Sequence, residues 1–189
     1  MGYCLFYFAF CIFAFCPLLI AYLIPFYFRA VQSLNFPEYN FRLRPNASGQ
    51  SSEIFDMVRK KFVALTPEEW VRQHLLHFLI EEKKYPASLL AVEKELSVAG
   101  IKKRTDVVVY SRNAEPLMIA ECKSPDVALN QNVFDQAARY NLPLNVSYLF
   151  LTNGLIHYCC RINPAEKKYE LVDGVPEYEE LVQSSKFKV

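Results

Sequence analysis

Two short apolar runs separated by a polar stretch stand out between residues 104 and 123. Residues 107–110 (VVVY) are β-branched or aromatic, residues 111–115 (SRNAE) are mainly polar and precede a proline, and residues 117–120 (LMIA) are apolar again. β-Branched runs of this length favour strands, and a polar stretch before proline favours a turn. The pattern therefore predicts a β-hairpin.

Three charged residues flank this hairpin: Asp106 opens its first strand, and Glu121 and Lys123 close its second. Side chains alternate between the faces of a strand, so Glu121 and Lys123 share a face, and antiparallel pairing can bring Asp106 beside them. Two close carboxylates repel each other unless a cation joins them, and hard oxygen ligands suit Mg²⁺ or Mn²⁺. One interpretation is a metal site for phosphodiester hydrolysis, and the other is an exposed hairpin with solvated or loosely paired charges.

The remaining apolar patterns predict alternating helices and strands. A helix is predicted over residues 66–83, with Thr66 as its N-cap, Pro67 at its first position and Glu69 at capping-box spacing. The further elements are a strand over 89–98, the hairpin, a helix over 132–140, strands over 146–152, 156–162 and 169–172, and a helix over 176–183. This order predicts an α/β fold with a mixed β-sheet flanked by helices.

The charged residues of the hairpin carry a family resemblance. Asp106 followed by Glu121-Cys122-Lys123 resembles the signature of the PD-(D/E)XK nucleases, although Thr105 stands where the signature has proline. Three further segments make the resemblance more specific: RQHLLHFLIEEKKYP before the hairpin, residues 130–140 after it, and YLFLTNG at 148–154. Over about residues 36–181 the chain resembles the N-terminal nuclease domain of type I restriction enzyme R subunits.

This resemblance implies a restriction-endonuclease-like fold and a metal-dependent DNA endonuclease. Asp106 and Glu121 would bind Mg²⁺ or Mn²⁺, and Lys123 would act in the chemical step. In this family an acidic residue of the first helix often points at the metal site, which makes Glu69 a catalytic candidate as well as a capping residue.

A Gln-x-x-x-Tyr pair also lies beside the active site in this family. Gln136 and Tyr140 are one helical turn apart in the present chain and therefore share a helical face. The resemblance implies that the amide of Gln136 orients the lysine or a phosphate. A surface glutamine and a capping aromatic residue are the alternative interpretation.

A basic stretch, Lys102-Lys103-Arg104, stands just before Asp106 and is a candidate DNA-backbone contact. A soluble turn between two strands is the alternative. The net charge of the chain is only +1, which gives little support to DNA binding by general electrostatic attraction. A catalytically silent DNA-binding or scaffolding module of a restriction or defence complex is the competing function, and the low net charge gives it no more support than it gives the nuclease.

The N-terminal segment differs in composition from the rest of the chain. Residues 1–28 contain no charged side chain, and basic residues follow from Arg29. One interpretation is a transmembrane helix within residues 1–30 that anchors the domain on the cytoplasmic side of an inner membrane. The other is a start codon assigned too far upstream, which would leave a cytoplasmic protein. Residues 31–65 are expected to be an irregular lead-in to a nuclease-like domain at 66–183.

Other chemistries find no support in the sequence. There is no GxxxxGK[ST] loop, so we expect no nucleotide site, and a motor would have to come from a helicase or restriction-modification subunit acting as partner. The GxSxG and HExxH motifs are absent as well. The six cysteines form no CxxC pair and are interpreted as small hydrophobic residues in a reducing compartment.

Overall fold

The structure is a computed structural model of the 189-residue chain that describes residues 32–98, 101–141, 146–163 and 168–186. The apolar segment over residues 1–30, for which a transmembrane helix or a misassigned start was expected, lies outside the described residues. Within the described ranges, no helix has both the length and the apolar character needed to cross a membrane.

A small antiparallel sheet precedes the first helix. It consists of β1 (Leu43–Pro45), β2 (Ser52–Asp56) and β3 (Lys61–Ala64), with β2 in the centre. The expectation of an irregular lead-in over 31–65 is therefore wrong for this part. β1 is only three residues long and exposed throughout, so its sequence lacks the alternation that identifies a strand.

Helix α1 (Pro67–His77) begins as the sequence predicts, and a π-helical turn at Phe78–Glu82 extends it. The Thr66 hydroxyl accepts a hydrogen bond from the Glu69 amide at 3.0 Å, which satisfies one of the free amides of the first turn. The reciprocal half of the capping box does not form, because the Thr66 amide donates to the carbonyl of Ala64. The Glu69 side chain is thus available for other contacts.

A six-stranded mixed sheet forms the centre of the molecule, with the strand order β4-β5-β6-β7-β8-β9. Every neighbouring pair is antiparallel except β6 and β7, which are parallel because helix α2 connects them. The bounds are β4 Leu90–Val98, β5 Ile101–Tyr110, β6 Pro116–Cys122, α2 Gln131–Asn141, β7 Tyr148–Thr152, β8 His157–Asn163, β9 Lys168–Val172 and α3 Tyr178–Lys186, with a short 3₁₀ turn at Ala87–Leu89 before β4. The mixed sheet with flanking helices confirms the predicted fold class.

The central strands are buried on both faces. Met118 and Ala120 of β6 pack with residues of α1 and α3, whereas Ile119 packs with Phe134 and Ala138 of α2. Full burial of one large aliphatic side chain stabilises the fold by about 1.5–3 kcal/mol, so these two layers are the main source of stability. The alternation along β6 agrees with the sequence-based assignment of its faces.

The segment before β1 is fixed to α1 and to the turn after β7. The ring of Phe36 lies 5.6 Å from that of Phe78, and the Asn35 amide donates to the carbonyl of Gly154 at 2.6 Å. Gly154 has a φ of +84°, and a Cβ atom at this position would lie 2.7 Å from Leu34. A glycine is therefore required here for both backbone conformation and space.

Candidate active site at the interrupted end of the hairpin

The hydrogen-bonded ladder around Asp106 is interrupted on both of its sides. Pairing of β4 with β5 passes from Val92↔Val107 to Lys94↔Thr105, so that Glu93 lies opposite Asp106 without pairing. Pairing of β5 with β6 stops at Val107↔Ala120, and Glu121 is next in register with Asp106. Glu93, Asp106 and Glu121 thus follow one another across three adjacent strands, and we call them the carboxylate row.

The backbone is distorted within the carboxylate row. Glu93 has a φ of +52°, in the left-handed region that non-glycine residues rarely adopt within a strand. Such a conformation costs on the order of 1–3 kcal/mol, and residues in it are enriched at functional sites. Beyond this point residues 94–98 and 101–105 continue as a two-stranded arm past the end of β6.

Both carboxylate oxygens of Asp106 have hydrogen-bond donors. Its Oδ2 accepts from the backbone amide of Cys122 at 2.8 Å, where regular pairing of the two strands has ended. Its Oδ1 accepts from Nη2 of Arg72 at 2.9 Å. Asp106 is thereby connected to β6 through the Cys122 amide and to α1 through Arg72.

Arg72 is a buried cation that the sequence analysis missed. Its side chain is only 6% exposed and binds Glu69, Glu68 and Asp106. Burial alone would lower the pKa of Arg72, but the charges of Glu69 and Asp106 outweigh this effect and raise it. Its Nε atom is buried and has no hydrogen-bond partner within the described part of the chain. The i,i+3 spacing of Glu69 and Arg72 was the one signal that could have identified this ion pair.

Glu69 lies in the same network. One oxygen accepts from Arg59 at 2.6 Å and from Gln73 at 2.8 Å, and the other accepts from Arg72. Arg59 also pairs with Asp56 at 2.6 Å, so the network extends from the small sheet to Asp106. The structure therefore links Glu69 to Asp106 through two ion pairs that share Arg72.

Glu93 joins this network to the two-stranded arm. Its carboxylate pairs with Arg59 at 2.5 Å and with Arg104. Burial acts to raise the pKa of Glu93, yet the hydrogen bond from Arg104 and the charge of Arg59 hold it below its usual value. A surface cleft of about 450 Å³ beside these ion pairs is lined by Arg59, Lys61, Val63, Ala64, Thr66, Glu68, Glu69, Arg72 and Glu93.

The candidate DNA-binding residues lie in a strand, so the alternative interpretation of a soluble turn is wrong. Lys102 and Arg104 are part of β5, on the two-stranded arm, and their side chains are 72% and 68% exposed. Lys103 pairs with Leu96 in the same arm, and its side chain lies outside what the structure describes. Pairing with β4 brings this charged segment into the sheet despite its weak strand propensity.

Lys123 follows directly after β6 and is partly buried. Its backbone amide donates to the carbonyl of Thr152 at 2.8 Å, which continues the parallel pairing of β6 with β7 by one more bond. Gln136 and Tyr140 both lie in α2, which packs on the sheet through Phe134 and Ala138, but their own side chains are outside what the structure describes.

The donor set in the carboxylate row suits a magnesium-type ion. The described residues contain no group of three or more His, Cys, Asp or Glu side chains that could hold a metal ion together. Mg²⁺ commonly binds through one or two carboxylates and keeps several water ligands, so Asp106 and Glu121 are the residues that could hold such an ion. The buried thiol of Cys122, the residue after Glu121, is no ligand for such an ion, and burial raises its pKa.

Comparison with known proteins gives one family match and weak structural similarities. The family described as "Type I restriction enzyme R protein N terminus (HSDR_N)" matches residues 67–176, which is more than half of the chain. No curated protein matches the sequence.

Two solved structures show similarity to the fold. The first is a fragment of a protein assigned as the HsdR subunit of a type I restriction enzyme from Vibrio vulnificus YJ016, with a TM-score of 0.44 and 18% identity. The similarity covers 65% of the present chain and 26% of the Vibrio chain, so the present chain spans about a quarter of that protein. The second is a protein from Anabaena variabilis ATCC 29413 assigned as a nuclease of the DUF820 group, with a TM-score of 0.41, 13% identity and coverage of 71% and 86% of the two chains.

Proposed function

Because the chain belongs to the family of type I restriction enzyme R protein N-terminal domains, we propose that it is a metal-dependent DNA endonuclease that hydrolyses phosphodiester bonds. The observation that carries the proposal is the position of Asp106 and Glu121, next to each other in register where the ladder between β5 and β6 ends. Lys123 follows two residues later. Residues two positions apart on a strand share a face, so Lys123 would lie beside Glu121.

Asp106 and Glu121 would hold Mg²⁺ or Mn²⁺ through their carboxylate oxygens. When bound, the ion would act as a Lewis acid on the scissile phosphate. The hydrogen bond from the Cys122 amide supports this role, since it holds one Asp106 oxygen in place and leaves its remaining lone pair available.

Lys123 would act on the attacking water and on the phosphate. A fixed ammonium group aimed at developing negative charge lowers the barrier more than it tightens substrate binding. Gln136 and Tyr140 would contact Lys123 or the phosphate from α2, and Glu69 would act through Arg72, since its oxygens bind arginines and Gln73.

DNA would bind along the two-stranded arm through Lys102, Lys103 and Arg104. The exposure of Lys102 and Arg104 supports phosphate contact, and the ion pair with Glu93 places Arg104 close to the carboxylate row. We further propose that restriction-modification or helicase subunits are its partners, which would supply DNA recognition and translocation.

A second candidate function is a catalytically silent DNA-binding or scaffolding module. The observation in its favour is that Arg72 already pairs with Asp106. Incubation of the purified full-length chain with supercoiled plasmid, with Mg²⁺, with Mn²⁺ or with EDTA, separates the two. Nicking that requires metal supports the nuclease, whereas DNA binding without cleavage under all three conditions supports the scaffold.

A further inference from the structure

Arg72 binds the same carboxylate that would have to hold the metal ion. Its Nη2 atom lies 2.9 Å from Asp106 Oδ1, and its side chain is almost fully buried. A guanidinium group cannot lose its charge in a protein, so it repels any cation that approaches the same carboxylate. The arginine and the ion therefore cannot both bind Asp106 without an energetic penalty.

We propose that Arg72 is the resident counter-ion of Asp106 and competes with the divalent cation for it, so that Arg72 sets how tightly the site binds metal. This inference rests on the proposed function. In the metal-free protein Arg72 neutralises Asp106, and in the loaded protein it moves away from Asp106 and keeps its pair with Glu69.

Arg72 could instead serve to orient Asp106, but two contacts favour competition with the metal ion. The Cys122 amide already fixes the carboxylate through Oδ2, so Asp106 keeps its orientation without Arg72. Glu69 likewise keeps Arg59 and Gln73 as partners when Arg72 is removed. The main effect of removing Arg72 is thus the loss of one positive charge beside the metal ligands.

The bonding of Arg72 also allows it to move. Its Nε atom is buried without a hydrogen-bond partner among the described residues, which is unfavourable in its present position. The contact with Glu68, at 3.3 Å, is long and involves a half-exposed carboxylate. Arg72 also lines the cleft beside α1, which offers space into which the guanidinium can shift.

The test is isothermal titration of the full-length chain with MnCl₂, comparing wild type with Arg72→Met, Arg72→Lys and Arg112→Met. Methionine retains an unbranched chain without charge, lysine retains the charge, and Arg112 is an exposed arginine near Glu179 that serves as the matched control. We expect Arg72→Met to bind Mn²⁺ about tenfold more tightly, equivalent to about 1.4 kcal/mol. Arg72→Lys and Arg112→Met should stay within about threefold of wild type.

The outcomes separate this inference from the proposed function. If wild type binds Mn²⁺ clearly and Arg72→Met binds it equally or more weakly, the competition proposal is refuted. The proposal of a metal-dependent nuclease is not affected by that result. Absence of Mn²⁺ binding by wild type and by Arg72→Met overturns both.

A measurement on the unaltered protein covers the case in which Arg72→Met does not fold. In ¹⁵N-labelled wild type, the guanidinium resonances of Arg72 should shift on titration with Mg²⁺, whereas those of Arg112 should not. Unchanged Arg72 resonances at saturating Mg²⁺ would contradict the proposal.

Discussion

The two ends of the β5–β6 hairpin differ in what holds them together. On the turn side, Val108 and Val109 pair with Ile119 and Met118 before the register shifts at Tyr110, and all four side chains are fully buried between helices. At the other end the ladder stops at Asp106, and arginines and a backbone amide take the place of strand pairing. The apolar end provides stability, and the charged end provides polar groups in a fixed arrangement.

This difference shows how one hairpin can carry both a buried core and a cluster of charged groups. Buried apolar contacts are non-directional and add to stability in proportion to area. A buried carboxylate is unfavourable unless it is paired, and Asp106 obtains its partners from α1 and from β6. Strand pairing in the apolar end fixes the register, and the register places Asp106 next to Glu121.

The largest effect on stability is expected at the apolar end. Leu149→Ala in the central strand β7 should lower the free energy of unfolding by about 2–5 kcal/mol, because it leaves a cavity in a fully buried layer. The matched control is Leu171→Ala in the edge strand β9, where the side chain is 61% exposed and the loss should be about 0.5 kcal/mol or less. Urea denaturation measures both, and equal losses would refute the assignment of the core.

A large effect on activity is also expected at Lys123. Lys123→Ala should lower the turnover of DNA cleavage about a hundredfold or more, the scale of one preorganised electrostatic group, with little change in Mn²⁺ or DNA affinity. Lys123→Arg should not restore activity, because a broad planar guanidinium cannot replace a compact ammonium. Lys84→Ala serves as the control, because Lys84 lies beyond the π-helical turn that extends α1. Cleavage at the wild-type rate by Lys123→Ala would show that Lys123 takes no part in the chemical step.

A smaller effect on stability is expected at the charged end. Asp106→Asn should lower the free energy of unfolding by about 1.5–3 kcal/mol, because it removes a charged acceptor from the buried Arg72. Glu115→Gln, in the exposed turn of the same hairpin, removes one negative charge without such a partner and should change stability by about 0.5 kcal/mol or less. Chemical denaturation of both variants in EDTA would test whether Arg72 depends on Asp106.

The smallest effect concerns a titrating group outside the carboxylate row. Burial lowers the pKa of His74, and the neighbouring His77 lowers it further, although the hydrogen bond to the Trp70 carbonyl opposes this. The folded state therefore prefers neutral His74. Its contribution to stability is complete above the ordinary pKa of about 6.5 and is lost as the pH falls below that value.

Replacement of His74 by glutamine tests this pH dependence, since glutamine keeps a hydrogen-bond donor and does not titrate. The decrease in unfolding free energy between pH 7.5 and pH 5.0 should be smaller in His74→Gln than in wild type. A remaining decrease is expected because burial also lowers the pKa of His157. An identical decrease in both proteins would argue against a neutral His74.

Features that depend on neighbouring residues could be predicted from the sequence. The Thr66 cap, the hairpin and the alternating faces of β6 follow from local spacing, and the structure confirms them. The small sheet could not be predicted, because β1 is short, exposed and stabilised only by pairing with β2.

The carboxylate row could be predicted only in part. The position of Asp106 opposite Glu121 follows from the hairpin register, but the position of Glu93 depends on a third strand and on an unusual backbone conformation. The ion pair between Arg59 and Glu93 joins residues that are 34 positions apart, and no local pattern reports such a contact. Long-range charge pairs of this kind require the assembled fold.

The most direct test of the central claim is titration of Mn²⁺ into wild type, Asp106→Asn and Glu121→Gln, with plasmid cleavage measured on the same samples. A metal-dependent nuclease centre in the carboxylate row predicts one bound ion in wild type, loss of tight binding in both variants, and cleavage by wild type alone. Unchanged Mn²⁺ affinity in both variants, or cleavage by wild type that persists in EDTA, would contradict it.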